Sequence, residues 1–362
     1  MKPDQPISQR RLGNHQITQG KFELPSQIVS WFGAMQAQDY ASVKWAVGLR
    51  CAQTTDTLLE EEIAKQAIVR TWLMRGTLQI VAAPDIHWML TLLSPRIVAA
   101  RARRHQQLGL DDATLAKSHE ILIRELEGGN RLTRKEVMFT LEQAGISTRG
   151  QRGYHILGHA ALEGVICFGP NQGKEQTFVL LREWVLSSQK LESDEALAEL
   201  ARRYFQSHGP ATLKDFVGWS GLRITVARKA LELVKDEFQQ ETIAGQTCWE
   251  IPYETIPGVS SPTIHLLPAF DEYYLGYQDR GAVLDPHYDK TVVSSNGMFR
   301  PIIVLDGQVV GTWKRTLKKR CVIITANPFV SFAKKESQAL LTAAERFGAF
   351  LGLPVELQVD VL

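Results

Sequence analysis

Apolar residues recur at helical spacing early in the chain. Ile28, Trp31, Phe32 and Met35 fall at i, i+3, i+4 and i+7, one face of an amphipathic helix. Thr57-Leu58-Leu59-Glu60 has capping-box form and predicts the start of a second, acidic helix. Ile68 and Val69 follow, and residues 77–81 alternate as a strand does, ending near Pro84. Residues 99–104 read as a basic helix or linker, with Arg96, Arg101, Arg103 and Arg104 close together. A solvated helix face is the plain reading of those cations, phosphate contact the functional one.

A second pattern is clearer. Thr133-Arg134-Lys135-Glu136 is a capping box, Val137 and Leu141 continue its stripe, and Gly145 suits a C-terminal cap. A helix over 150–163 stops at Gly164. Strands at 165–168 and 177–181 flank the turn Gly169-Pro170-Asn171-Gln172-Gly173. Helix, helix, hairpin is the winged-helix pattern. It returns with a helix at 196–205, a break at Gly209-Pro210, a helix capped by Thr212 and ending near Trp219, and a helix over 225–234. Strands at 238–243 and 248–251 then pair around Ala244-Gly245-Gln246. The last hundred residues change character. Runs at 264–267, 302–305 and 308–313 are β-rich, Asp306-Gly307 is a strong hairpin signal, and Leu340, Leu341, Ala344 and Phe347 share one helix face. The pattern predicts an α+β chain. Tandem winged helices occupy 1–90, 116–190 and 191–258, a basic helical connection lies at 91–115, and a C-terminal β-barrel-like domain with a packed helix fills 259–362.

Composition narrows this without redirecting it. The chain has 362 residues, 44% hydrophobic and 22% charged, which is globular composition in several units. A net charge of +2 excludes a global polycation, so affinity for nucleic acid must come from local patches. Cys51, Cys167, Cys248 and Cys321 have neither metal-ligand spacing nor the look of a disulfide framework, which fits a reduced, cytoplasmic setting. The polar start Met1-Lys2-Pro3-Asp4-Gln5 carries no apolar signal core, and no apolar run is long enough to span a membrane. No cofactor and no metal is expected.

Several winged helices in one chain point to double-stranded DNA, because each places a helix in the major groove and a wing beside it. Candidate contacts are Arg149, Arg152, His155 and Lys174 in the second unit, Arg223, Arg228 and Lys229 in the third, and Lys314 and Arg315 in the last. Each alone reads equally as a solvated surface residue.

The chain contains no Gly-rich phosphate loop and no nucleophile elbow. His155 and His159 stand at i, i+4, but no Glu follows His155, and packing or surface polarity is the simpler reading than zinc. Asp271-Glu272 are candidate carboxylates, with a turn or structural hydrogen bonding the favoured role. Gln36-Ala37-Gln38-Asp39-Tyr40 remains. In extended backbone Gln36 and Gln38 share a face, and their carboxamides offer donors and acceptors that can hold a water. By residue type alone they read as surface glutamines.

Taken in order, several blocks resemble the AlkZ-like DNA glycosylases, winged-helix proteins of the HTH_42 type, over nearly the whole chain. The blocks are Met35-Gln36-Ala37-Gln38-Asp39, Trp72-Leu73-Met74-Arg75-Gly76-Thr77-Leu78, Leu266-Leu267-Pro268-Ala269-Phe270-Asp271, Gly276-Tyr277-Gln278-Asp279-Arg280, and Asp306-Gly307 with Val310-Gly311-Thr312-Trp313. The resemblance implies a concave DNA channel and a Gln-x-Gln catalytic motif, which falls on Gln36 and Gln38. It implies hydrolysis of the N-glycosidic bond of purines alkylated at N7 or N3, crosslinks among them, by a monomer acting on duplex DNA. Arg75 becomes an anchor for a phosphate or for the local fold. Asp39 is a second candidate for activating water. Gln79 stands where the family commonly carries His. The alternative is a non-enzymatic winged-helix DNA-binding protein or transcription regulator, which would leave the Gln-x-Gln motif unexplained.

Overall fold

The computed structural model describes residues 6–20, 22–252 and 261–360. The start Met1–Gln5 and the expected boundary at 258–259 lie outside them. The chain forms two compact units, one from residues 1–59 and 198–362, the other from residues 60–197. Both mix helices with mainly antiparallel sheet, so the fold class is α+β.

The second unit is built on strands in the order Leu78–Ala82, Ile68–Trp72, Ile166–Gln172, Glu175–Leu180 and Leu132–Thr133. Its element order after residue 110 is helix Asp112–Leu126, strand, helix Arg134–Gln143, helix Arg152–Leu162, then the hairpin. That is the order expected of a winged helix, with Thr133 and Glu136 forming the predicted capping box. The wing is therefore not isolated. Arg70 pairs with Phe168, so the wing continues into the preceding hairpin Ile68–Trp72/Leu78–Ala82.

Several local expectations change here. Strand Leu78–Ala82 is buried on both faces, so it does not alternate. Residues 99–104 are no linker but the interior of one long helix, Ile86–Gln107. The helix Asp112–Leu126 had no predicted counterpart. Its buried Leu115, Ser118, Ile121, Leu122 and Leu126 mix a polar residue into the stripe. The acidic helix is Asp56–Ala64, and its N-terminal hydroxyl comes from Thr55, which accepts the Leu58 N–H at 3.1 Å, not from Thr57.

In the first unit, helix Pro25–Phe32 ends at Gly33, whose φ of 77° is the left-handed conformation glycine tolerates. Met35 therefore lies beyond the helix, in extended backbone, and not on its stripe. Helices Ser193–His208, Leu213–Ser220 and Ile224–Glu232 are followed by the hairpin Gln239–Ile243/Gln246–Glu250.

The C-terminal sheet runs Ile264–Leu267, Ile302–Leu305, Gln308–Leu317, Val322–Pro328, Val355–Val359. Asp306 and Gly307, with φ of 47° and 90°, make its predicted two-residue turn. Among the described residues the first and last strands pair with one neighbour each, so this is an open sheet with a packed helix. Helix Lys334–Leu351 covers the sheet. Trp45 and Trp313 flank Phe347 at ring distances of 5.0 and 5.2 Å, and their indoles donate to the carbonyls of Leu266 and Leu267. Trp45 thereby anchors helix Tyr40–Gly48, the element that follows the Gln-Ala-Gln stretch, on this core.

Candidate active site

The Gln-Ala-Gln stretch is a short extended segment between two helices. Met35 and Ala37 are fully buried, whereas Gln36 is half-buried and Gln38 exposed. Burial thus alternates along residues 35–38, with the strand Met35–Gln36 giving way to a bend at Gln38. Asp39 has a different task. It is the N-cap of helix Tyr40–Gly48, and its Oδ1 accepts the Ser42 N–H at 2.8 Å. The helix starts after Asp39, so Gln36 and Asp39 are not brought together at i, i+3, and a water-activating role for Asp39 finds no support.

Behind the stretch lies a buried polar layer. The Gln36 N–H donates to Glu272 Oε1 at 2.8 Å. The neighbouring Asp271 carboxylate is gripped by both terminal nitrogens of Arg50, at 2.8 and 2.6 Å, with neither side chain exposed. Arg50 also donates to the carbonyls of His15 and Ala46. A buried guanidinium and carboxylate survive only when paired and hydrogen-bonded this fully. Asp271 also caps the one-turn helix Glu272–Leu275 by accepting the Tyr273 N–H. The structural reading of Asp271-Glu272 is what the geometry gives.

One basic element stands beside the stretch in the same unit. The hairpin Gln308–Leu317/Val322–Pro328 turns through Lys318, Lys319 and Arg320, all exposed, with Lys314 exposed on its strand. Arg315 lies over the Phe347 ring and comes within 3.9 Å of Asp39 Oδ1. Lys314 and Arg315 were expected to face DNA. The Lys-Lys-Arg turn adds a run of three cations at a hairpin tip, a signal the sequence carries.

The other expected residues separate. Arg223 and Arg228 are exposed at the start and middle of helix Ile224–Glu232, with Lys229 exposed beside them. In the second unit Lys174 is exposed at the wing tip next to Gly173, and Arg149 is exposed in the loop before helix Arg152–Leu162. Arg152 is occupied. Through Nε and Nη1 it donates to the backbone carbonyls of Ser147, Leu108 and Gly109, which makes it a clamp on that loop. His155 is half-buried, edge-on to His105 at 5.3 Å. Burial, then Arg101 and Arg104, hold its pKa below the ordinary value.

Arg75 sits in the turn Met74–Gly76 with a left-handed φ of 56°. Arg101 donates to the Gly76 carbonyl at 2.7 Å and holds that turn shut. Gln79 is fully buried on strand Leu78–Ala82 and donates to Thr77 Oγ1 at 2.8 Å. Its Oε1 has no hydrogen-bond partner among the described residues.

Comparison with known proteins decides what these residues belong to. Residues 29–350 match the family model for AlkZ-like DNA glycosylases. The chain belongs to that family. An interstrand DNA cross-link repair glycosylase of Streptomyces sahachiroi is 28% identical over 306 residues, spanning 80% of this chain and 81% of that protein. The solved structure of the Streptomyces sahachiroi DNA glycosylase AlkZ superposes with a TM-score of 0.79 at 25% identity, over 97% of this chain and 98% of that one. This AlkZ-like chain is thus a DNA glycosylase, an enzyme of DNA repair that hydrolyses N-glycosyl bonds, and DNA is its partner. A solely regulatory winged-helix protein is set aside. No described helix is long and apolar enough to cross a membrane.

Proposed function

We propose that this chain is a monofunctional glycosylase that excises N7- or N3-alkylated purines from duplex DNA, with crosslinks through such purines among its substrates. Gln36 and Gln38 are its catalytic residues. The observation that carries the reading is their display: two glutamines at the less buried positions of a segment whose alternate residues are buried.

Alkylation at N7 or N3 leaves the purine positively charged and already a good leaving group. Its departure moves positive charge onto the sugar. Carboxamide oxygens aimed at that sugar stabilise the charge and orient the attacking water, while adding no full charge of their own. A strong base is not required. No lysine stands in the motif for a Schiff base, and Lys44, the first lysine after it, is committed to Asp56 at 2.8 Å. The exposed cations Arg223, Arg228, Lys229, Lys174, Arg149, Lys314 and the hairpin turn supply phosphate contacts. Arg75 anchors a phosphate of the DNA or the local fold at its turn. The winged-helix segments act as the DNA-binding modules, and one chain suffices as a monomer. The name of the Streptomyces relative supports crosslinks as substrates.

The test is free-base release from duplexes carrying N7-methylguanine, N3-methyladenine or an interstrand purine crosslink. Release from at least one is expected. Silence on all three overturns the substrate assignment.

A further inference from the structure

The Gln-x-Gln motif is held from behind by one side chain. Glu272 is 2% exposed, and both its oxygens are engaged. Oε1 accepts the Gln36 N–H at 2.8 Å, and Oε2 accepts the Trp219 indole N–H at 3.1 Å. His208 Nε2 lies 3.6 Å from the same Oε2, itself fully buried between Tyr204 and Trp219. Three segments distant in sequence therefore meet on one carboxylate: the motif, helix Leu213–Ser220 and helix Ser193–His208. Glu272 itself opens the helix that Asp271 caps, and Asp271 is locked by Arg50. The carboxylate is thus fixed at its own base before it fixes anything else.

Both groups that hydrogen-bond it at 2.8 and 3.1 Å are obligate donors, a backbone N–H and an indole N–H. Only an acceptor with two free oxygens satisfies both. A carboxamide would turn an NH2 toward one of them. Burying a carboxylate is costly, and this one is placed where its shorter bond goes to the backbone of a catalytic residue.

We propose that Glu272 is a positioning residue for catalysis: by accepting the Gln36 N–H it sets the backbone of the motif, and so the aim of the Gln36 and Gln38 carboxamides at the sugar and the attacking water. This rests on the assignment of the two glutamines above. Trp219 is the second member of the device, since its indole keeps the carboxylate from rotating off Gln36.

The test compares Glu272→Gln, Trp219→Phe and Gln38→Ala with the parent enzyme, measuring single-turnover base release and lesion-duplex Kd separately. Misplacing catalytic groups by about 1 Å costs about 100-fold in rate, so Glu272→Gln should lose roughly 10- to 100-fold in single-turnover rate with Kd within about twofold. Trp219→Phe should lose rate in the same direction, by less. A merely structural role would lower both measures together, and that outcome overturns the proposal, as does a Glu272→Gln rate within about twofold of the parent. Should Glu272→Gln fail to fold, Trp219→Phe decides alone: an unchanged rate overturns the proposal, and a lower rate at constant Kd upholds it. Gln38→Ala separates the two layers. If Gln38→Ala keeps full rate, the glutamine assignment fails; if it is inactive while Glu272→Gln is not impaired, only the positioning role fails.

Discussion

Gln36/Gln38 and His155/His159 are two polar pairs that the sequence presents on equal terms, and the structure treats them in opposite ways. The glutamines project from a segment whose neighbours Met35 and Ala37 are buried, and the charges that hold the segment lie behind it. The histidines turn inward. His159 Nδ1 faces His119 Nε2 at 3.1 Å, His105 packs against both His155 and His159, and Arg152 on the same helix spends its donors on loop carbonyls. Polar groups that stabilise a fold consume each other's hydrogen bonds. The motif, by contrast, is tied through a backbone N–H, that of Gln36, to a buried carboxylate. No described group of three or more His, Cys, Asp or Glu side chains is placed to hold a metal ion.

The comparison breaks first at its buried support. Asp271→Ala strands the Arg50 guanidinium in the core and should destabilise the first unit by about 3–5 kcal/mol, read as a drop in the urea midpoint. A loss below about 1 kcal/mol would mean that water or another acceptor reaches Arg50.

Next comes the displayed side. Gln38→Ala should lower single-turnover base release by about 100- to 1000-fold, the range for losing one transition-state dipole, with little change in duplex affinity. His159→Ala should leave the rate within about threefold, because its ring serves only the helix packing. Equal losses in the two variants would erase the distinction drawn here.

The hairpin turn sharpens it further. Replacing Lys318, Lys319 and Arg320 together by Ala should weaken DNA binding by about tenfold at moderate salt and flatten the slope of log K against log salt by up to about 3. Arg152→Ala should leave that slope unchanged and loosen the loop at Leu108 and Gly109 instead.

The smallest effect is a pH dependence confined to the histidine cluster. Burial, with His159 close by, holds His105 and His119 down to about 4, against an ordinary value of 6.5. The unfolded chain therefore binds more protons than the folded unit between those values. Stability present above pH 6.5 is lost as pH falls toward 4. Hydrogen exchange in helices Ile86–Gln107, Asp112–Leu126 and Arg152–Leu162, corrected for the intrinsic rate, should quicken over that window. His105→Leu should blunt the change; an unaltered profile would remove His105 from the cluster's linkage.

Much of the secondary structure was legible because it is local. The Thr133/Glu136 box, the Thr212 cap, the Asp306-Gly307 turn and the covering helix with Leu340, Ala344 and Phe347 were all written in short stretches. Local chemistry failed where burial overrode it. Leu78–Ala82 lost its alternation because both faces are covered, and Asp112–Leu126 hid because Ser118 sits in its buried stripe. Whether the C-terminal strands form a barrel or an open sheet was not legible either, since it depends on which edges pair.

The sequence by itself determined the α+β character, the i, i+2 spacing of Gln36 and Gln38, and, through blocks spread along the chain, the glycosylase family. Those follow from periodicity and residue order, which survive without coordinates. Only the tertiary structure decided that Asp39 is a helix cap, that Arg152 and His155 serve packing, and that Glu272, 236 residues from Gln36, is its hydrogen-bond partner. A carboxylate and an amide so far apart in the chain have no shared local signal. Their meeting is fixed by the Arg50–Asp271 pair and by the core on which Trp45 and Trp313 rest, and such long-range packing is where a polar residue's role is settled.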